Sequence, residues 1–124
     1  QGGYSYADLV KENAIETLSK IMYELSHQQI PTEAKTTYNF GKIEGGTTIN
    51  AIASTATLLY EYRSSMQNCL DIMEKQFQEI VSHYSNVEIE ILGVRPGNGL
   101  LNQEKFEKFT DHNVTLIKEY YLEM

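Results

Sequence analysis

The chain has 124 residues, a single cysteine, a formal net charge of -7, and 41% hydrophobic and 22% charged residues, which is the composition of one ordinary globular domain. The acid excess sets it against phosphate backbones and excludes nucleic acid as a natural partner; no apolar run approaches the roughly 20 residues of a membrane span, and no signal peptide opens the chain. With Cys69 alone there is no internal disulfide, which fits a reducing, cytoplasmic setting.

Residues 1–9 are rich in Gly and Tyr and read as a loop. From about Val10 the apolar residues Ala14, Ile15, Leu18, Ile21, Met22 and Leu25 recur at helical spacing, with Asp8 as candidate N-cap or first-turn acid and a stop near Ser26 before Pro31. Residues 35–43 are Thr-, aromatic- and β-branched-rich and read as a strand, broken at Glu44-Gly45-Gly46. A long Gly-containing connection leads to an alternating strand over residues 55–63. Ser64 or Ser65 can cap the next helix, whose stripe runs through Met66, Cys69, Leu70, Met73, Phe77, Ile80, Val81 and Tyr84. Residues 87–94 read as a third strand, and Arg95 to Gly99 as a turn. From about Asn102, Phe106, Phe109, Val114, Ile117, Tyr120 and Tyr121 predict a helical tail, interrupted near Thr110-Asp111. Two amphipathic helices among three strands predict an α+β two-layer sandwich, with both helices on one face of an antiparallel sheet. The order helix, strand, strand, helix, strand is a ferredoxin-like unit lacking its first, central strand.

The stretch from Thr36 to Ser64 resembles the inserted lid domain of the di-zinc aminoacylase, acetylornithine deacetylase, carboxypeptidase and tripeptidase family. The residues that carry the resemblance are Asn39, Gly41, Ile43, Gly45 and Gly46, then Asn50-Ala51-Ile52, then Arg63. Gly2-Gly3-Tyr4-Ser5 and Asn13-Ala14-Ile15 are similar to two further elements upstream. The resemblance implies that residues 1–95 are a lid and dimerisation domain, and that 96–124 lead back towards a catalytic domain. It implies a homodimer formed through a sheet edge and the first helix. It implies two zinc ions held by that catalytic domain and none here, and a substrate that is a small peptide or N-acyl amino acid cleaved at its amide bond. It places Asn50 and Arg63 on the substrate, roles that suit a neutral amide and a planar guanidinium fork. Tyr4 stands where the family has an oxyanion-binding histidine; its hydroxyl donates one hydrogen bond but supplies no cation near neutral pH. On this reading the piece alone hydrolyses nothing. The opening Gln1-Gly2-Gly3, without methionine, reads as an excised or processed start.

Each of these residues also has a plainer reading. Arg63 is then a surface arginine at a strand end, Asn50 a turn residue, and Gly45 and Gly46 backbone hinges. His27, His83 and His112 do not cluster in sequence; Glu79 and His83 have a metal-sharing spacing but read as a solvated helix face. Cys69 lies on an apolar stripe and reads as a small buried residue. The alternative function is a free-standing acidic ferredoxin-like module that binds a ligand or protein, with loop residues 44–50 as its site. Packing of residues 104–121 inside the domain would favour that alternative; extension outward would favour the lid of a larger enzyme.

Overall fold

The computed structural model describes residues 13–94, 101–104 and 113–123. Helix α1 (Ala14–Ser26) starts at Asn13, whose side-chain oxygen accepts from the backbone N–H of Ile15 (2.9 Å) and Glu16 (3.3 Å). The expected cap, Asp8, lies outside the described residues. Strand β1 (Thr36–Gly45) continues two residues beyond the expected end at residue 43, into the expected break, and ends where Gly46 takes a φ of 88°. Strand β2 (Thr55–Ser64) and helix α2 (Gln67–Val81) follow. Ser64 does not cap α2 directly. Its buried hydroxyl accepts from the Met66 N–H (3.2 Å) and from the Thr36 hydroxyl (3.0 Å), fixing the turn that launches the helix. Strand β3 (Val87–Val94) is as expected.

The strands β4 (Leu101–Glu104) and β5 (Asn113–Leu122) complete a sheet of order β1-β2-β5-β3-β4. The class is the expected one, an α+β two-layer sandwich of ferredoxin-like kind, with two corrections. First, residues 101–104 and 113–122, where the spacing predicts a helical tail from about Asn102, are strands. Second, the sheet is mixed: β5 runs parallel to both β2 and β3, while β1–β2 and β3–β4 are antiparallel. The cause is the position that the sequence left without a neighbour. β2 and β3 flank a vacant strand site whose backbone groups need partners, and β5 fills it. Its Val, Thr, Ile and Tyr content suits a strand, and this tertiary demand overrides the helical spacing of its apolar residues.

Alternation assigns the two faces. Ala56, Leu58, Tyr60 and Tyr62 of β2, and Val114, Leu116 and Lys118 of β5, are buried towards the helices. They meet Ala14, Leu18, Ile21 and Leu25 of α1 and Leu70, Met73, Phe77 and Val81 of α2. Phe77 stacks on Tyr60 with ring centroids 5.8 Å apart and planes within 11°. Each fully buried Leu, Ile or Phe contributes about 1.5–3 kcal/mol of burial free energy, so this seam holds the layers together. The opposite sheet face carries Leu59, Glu61 and Arg63 beside Ile117, Glu119 and Tyr121.

Candidate functional site

The two residues expected to touch substrate sit at opposite ends of β2. Asn50 lies in the exposed β1–β2 connection, where its side-chain oxygen accepts from the Thr48 hydroxyl at 3.1 Å. That connection closes beside the Gly45–Ala56 pair. Arg63 pairs with Thr37 at the other end. At ~3.3 Å per residue, β2 separates Thr55 from Arg63 by about 26 Å. One chain therefore does not bring Asn50 and Arg63 onto one small substrate.

Arg63 is held in place. Its Nε and Nη2 donate to Glu61 Oε1 at 3.1 and 2.9 Å, Nη1 lies 3.6 Å from Glu123 Oε2, and the guanidinium sits 4.7 Å from the Tyr121 ring centroid. The Glu61 hydrogen bonds hold its pKa above the usual arginine value, so it stays charged. The second Nη2 proton is not used by Glu61, and Nη1 meets Glu123 only at 3.6 Å, so a ligand carboxylate that displaces Glu123 can be received. Tyr4 lies outside the described residues, as do Gly2, Gly3 and His112.

The bland readings of the other residues mostly hold. Cys69 is buried, its Sγ 3.8 Å from Glu33 Oε1. His83 does not share a ligand with Glu79; its Nδ1 lies 3.1 Å from Glu24 on α1. Tyr84 donates to the same Glu24 carboxylate, and its partial burial, aided by that bond, pushes its pKa up to about 12. Among the described residues, no three His, Cys, Asp or Glu side chains come together as metal ligands. Nor is any described helix long and apolar enough to cross a membrane.

Sequence reasoning missed one polar centre. Lys118 of β5, 1% exposed, donates to Glu74 of α2 and lies 4.5 Å from the Phe77 ring centroid. Tyr62 donates to the same Glu74 oxygen at 2.8 Å, and Gln78 to the other at 2.8 Å. Burial pulls the Lys118 amine down to about 8 and raises the Tyr62 hydroxyl well above its usual value. The only signal in the sequence was a lysine at an inward position of an alternating segment, which a helical reading of that segment conceals.

Two surface features complete the description. Strand β1 is an edge of the sheet. Its residue Ile43 and, on α1, Ile15 are 52% and 43% exposed, and with Leu18, Gly45 and Ala56 they line a groove of about 220 Å³. An edge strand next to an exposed apolar groove is the usual form of a pairing surface. No curated protein and no solved structure matches the chain. A family model for a peptidase dimerisation domain matches residues 6–88, more than half of the sequence, and the chain belongs to that family.

Proposed function

We propose that this domain pairs two copies of a zinc-dependent peptidase or deacylase and, through that pairing, builds one substrate-positioning site from two chains. The observation that carries the reading is the placement of Asn50 and Arg63 at opposite ends of β2, next to the free edge strand β1. A two-fold interface is isologous. If β1 pairs antiparallel with β1 of a second copy, the Arg63 end of one sheet meets the Asn50 end of the other. Three strand spacings of ~4.8 Å then replace the length of β2, and the two residues approach to about 15 Å. A peptide or N-acyl amino acid spans that distance. Arg63 would take its carboxylate and Asn50 its amide or carbonyl group. The lid is then residues 1–95, joined by β5.

Water activation at the scissile amide is assigned to a catalytic domain of the same chain, which would hold the two zinc ions; no step is assigned to a metal at the residues described here. The test is oligomeric state. Light scattering at about 100 μM should give two copies for the wild-type domain and one for the double variant Ile15→Asp, Ile43→Asp with an unchanged circular dichroism spectrum. A wild-type domain that stays monomeric at that concentration sinks the reading.

One observation favours the second reading, a self-sufficient acidic ferredoxin-like binding module: β5 lies at the centre of the sheet, not outside it. That module would remain folded and monomeric, with any ligand held by loop residues 44–50.

A further inference from the structure

A cavity of about 280 Å³ opens between α2 and the far ends of β2, β5 and β3. It lies apart from both Asn50 and the β1 edge. Its apolar wall is Leu70 and Ile91, and its polar lining includes Asp71, Glu74 and Lys118. Tyr62 and Tyr120 also line it, with their rings stacked at 6.0 Å and 18°. Lys118 is itself among the lining residues, and its amine lies 5.6 and 5.8 Å from these two ring centroids. That amine has three N–H donors when protonated and one carboxylate to receive them. A lysine almost wholly removed from water, with donors to spare and a cavity beside it, is an uncommon arrangement in a structural core.

We propose that this cavity is a binding site for small neutral aldehydes, with Lys118 as the amine that condenses with them. The volume lies just below the roughly 300–1,000 Å³ of ordinary ligand pockets, which suits a molecule of modest size. The stacked tyrosines and Leu70 accept a flat apolar body. Glu74 meets the amine and Asp71 lines the same cavity, and the two carboxylates disfavour anionic carbonyl compounds such as keto acids. In the reaction the Lys118 nitrogen lone pair forms a bond to the carbonyl carbon, and the C=O π pair moves to oxygen. Both protons of the neutral amine end on that oxygen, which leaves as water, and an imine remains. Glu74 is placed to take the proton that the ammonium must first release, and the Tyr62 hydroxyl, 2.8 Å from the same carboxylate oxygen, is placed to return one to the departing oxygen. Burial supports this chemistry, since it pulls the amine to about 8 and leaves a useful neutral fraction near pH 7.5.

The test is reductive labelling of the folded domain with benzaldehyde and cyanoborohydride, followed by peptide mapping. Lys42 is the internal control: it is exposed, and its hydrogen bond and ion pair with Glu44 raise its pKa. At pH 7.5 the gain in neutral amine, discounted for a weaker nucleophile, predicts that Lys118 is labelled about tenfold faster than Lys42. Its rate relative to that of Lys42 at the same pH should be greatest near neutral pH and fall towards alkaline pH as Lys42 loses its proton, and glyoxylate should label it more slowly than benzaldehyde. Lys118→Met removes the fast site and leaves Lys42 labelling unchanged. Labelling of Lys118 no faster than that of Lys42 at neutral pH, or a ratio of the two rates that does not fall as the pH is raised, overturns the proposal.

Discussion

Replacing Lys118 by Met should stabilise the domain at pH 7. The folded amine is pulled from 10.5 to about 8, which corresponds to ~3 kcal/mol of penalty carried by the charged form. Methionine has similar length and no charge to desolvate. It forfeits the bond to Glu74 and the contact with the Phe77 ring, together worth about 1–2 kcal/mol. Glu74 is 39% exposed and keeps its donors Tyr62 and Gln78, so it is not left as a bare buried charge. The net expectation is a gain of about 1–2 kcal/mol, or ~4–8 °C in Tm for a domain of this size. The difference must also depend on pH. Between about 8 and 10.5 the unfolded lysine still holds its proton while the folded one has lost it, so wild-type stability rises with pH and the advantage of Met closes. The raised Tyr62 pKa acts in the opposite sense above ~9, but it is common to both proteins and largely cancels in the difference. Urea denaturation of both proteins at pH 7 and pH 9.5 reads this directly. A variant less stable than wild type by more than ~1 kcal/mol at pH 7, or a difference flat across that range, would refute the account of Lys118.

Two further changes test the frame that holds the site. Asn13→Ala removes the acceptor for the Ile15 and Glu16 N–H groups and should cost about 1 kcal/mol in thermal or chemical unfolding, whereas Asn13→Gly, whose backbone suits the cap position and leaves it open to water, should cost only a few tenths of that. Gly45→Ala places a Cβ 3.0 Å from Ala56 Cβ and 3.1 Å from the Thr55 carbonyl oxygen, at the last β1–β2 pair. A loss of about 1–3 kcal/mol is expected by urea denaturation, whereas Gly41→Ala, at the bulge between Phe40 and Lys42 and with nothing nearer than 3.8 Å, should cost under about 1 kcal/mol.

Five of the seven described elements could be read from the sequence because each carries one period without interference. The stripe of α2 from Cys69 to Val81 is helical throughout, and β2 alternates from Ala56 to Tyr62, so local pattern and tertiary role agree. β5 is where they part. Val114, Ile117, Tyr120 and Tyr121 have helical spacing, and the alternation Val114, Leu116, Lys118, Tyr120 is hidden by a charged residue at an inward position. Only the ladder on both sides of β5 decides between the two periods, and that ladder joins residues far apart in sequence. The short strand β4 is beyond local pattern for the same reason, since its ladder partner is β3. The shift of the α1 cap from Asp8 to Asn13 is a boundary effect: an Asn followed by Ala-Ile-Glu is as good a start signal as the acid upstream.

Asn50 and Arg63 show what a sequence resemblance conveys and what it leaves to geometry. Their spacing and types suggested two groups acting on one substrate. Read within one chain, the fold denies this, because a whole strand lies between them. The strand that separates them is flanked by the free edge β1, and a two-fold axis across that edge exchanges the ends of the sheet. If both residues act on one substrate, that exchange is the simplest operation that brings them near each other. Substrate positioning and dimerisation then become one property: a variant that breaks the β1 pairing should lose the joint recognition of one ligand by Asn50 and Arg63 even though Arg63 keeps its contacts with Glu61 and Tyr121. A monomeric variant that still binds a carboxylate ligand through both Asn50 and Arg63 would separate the two properties and defeat the argument.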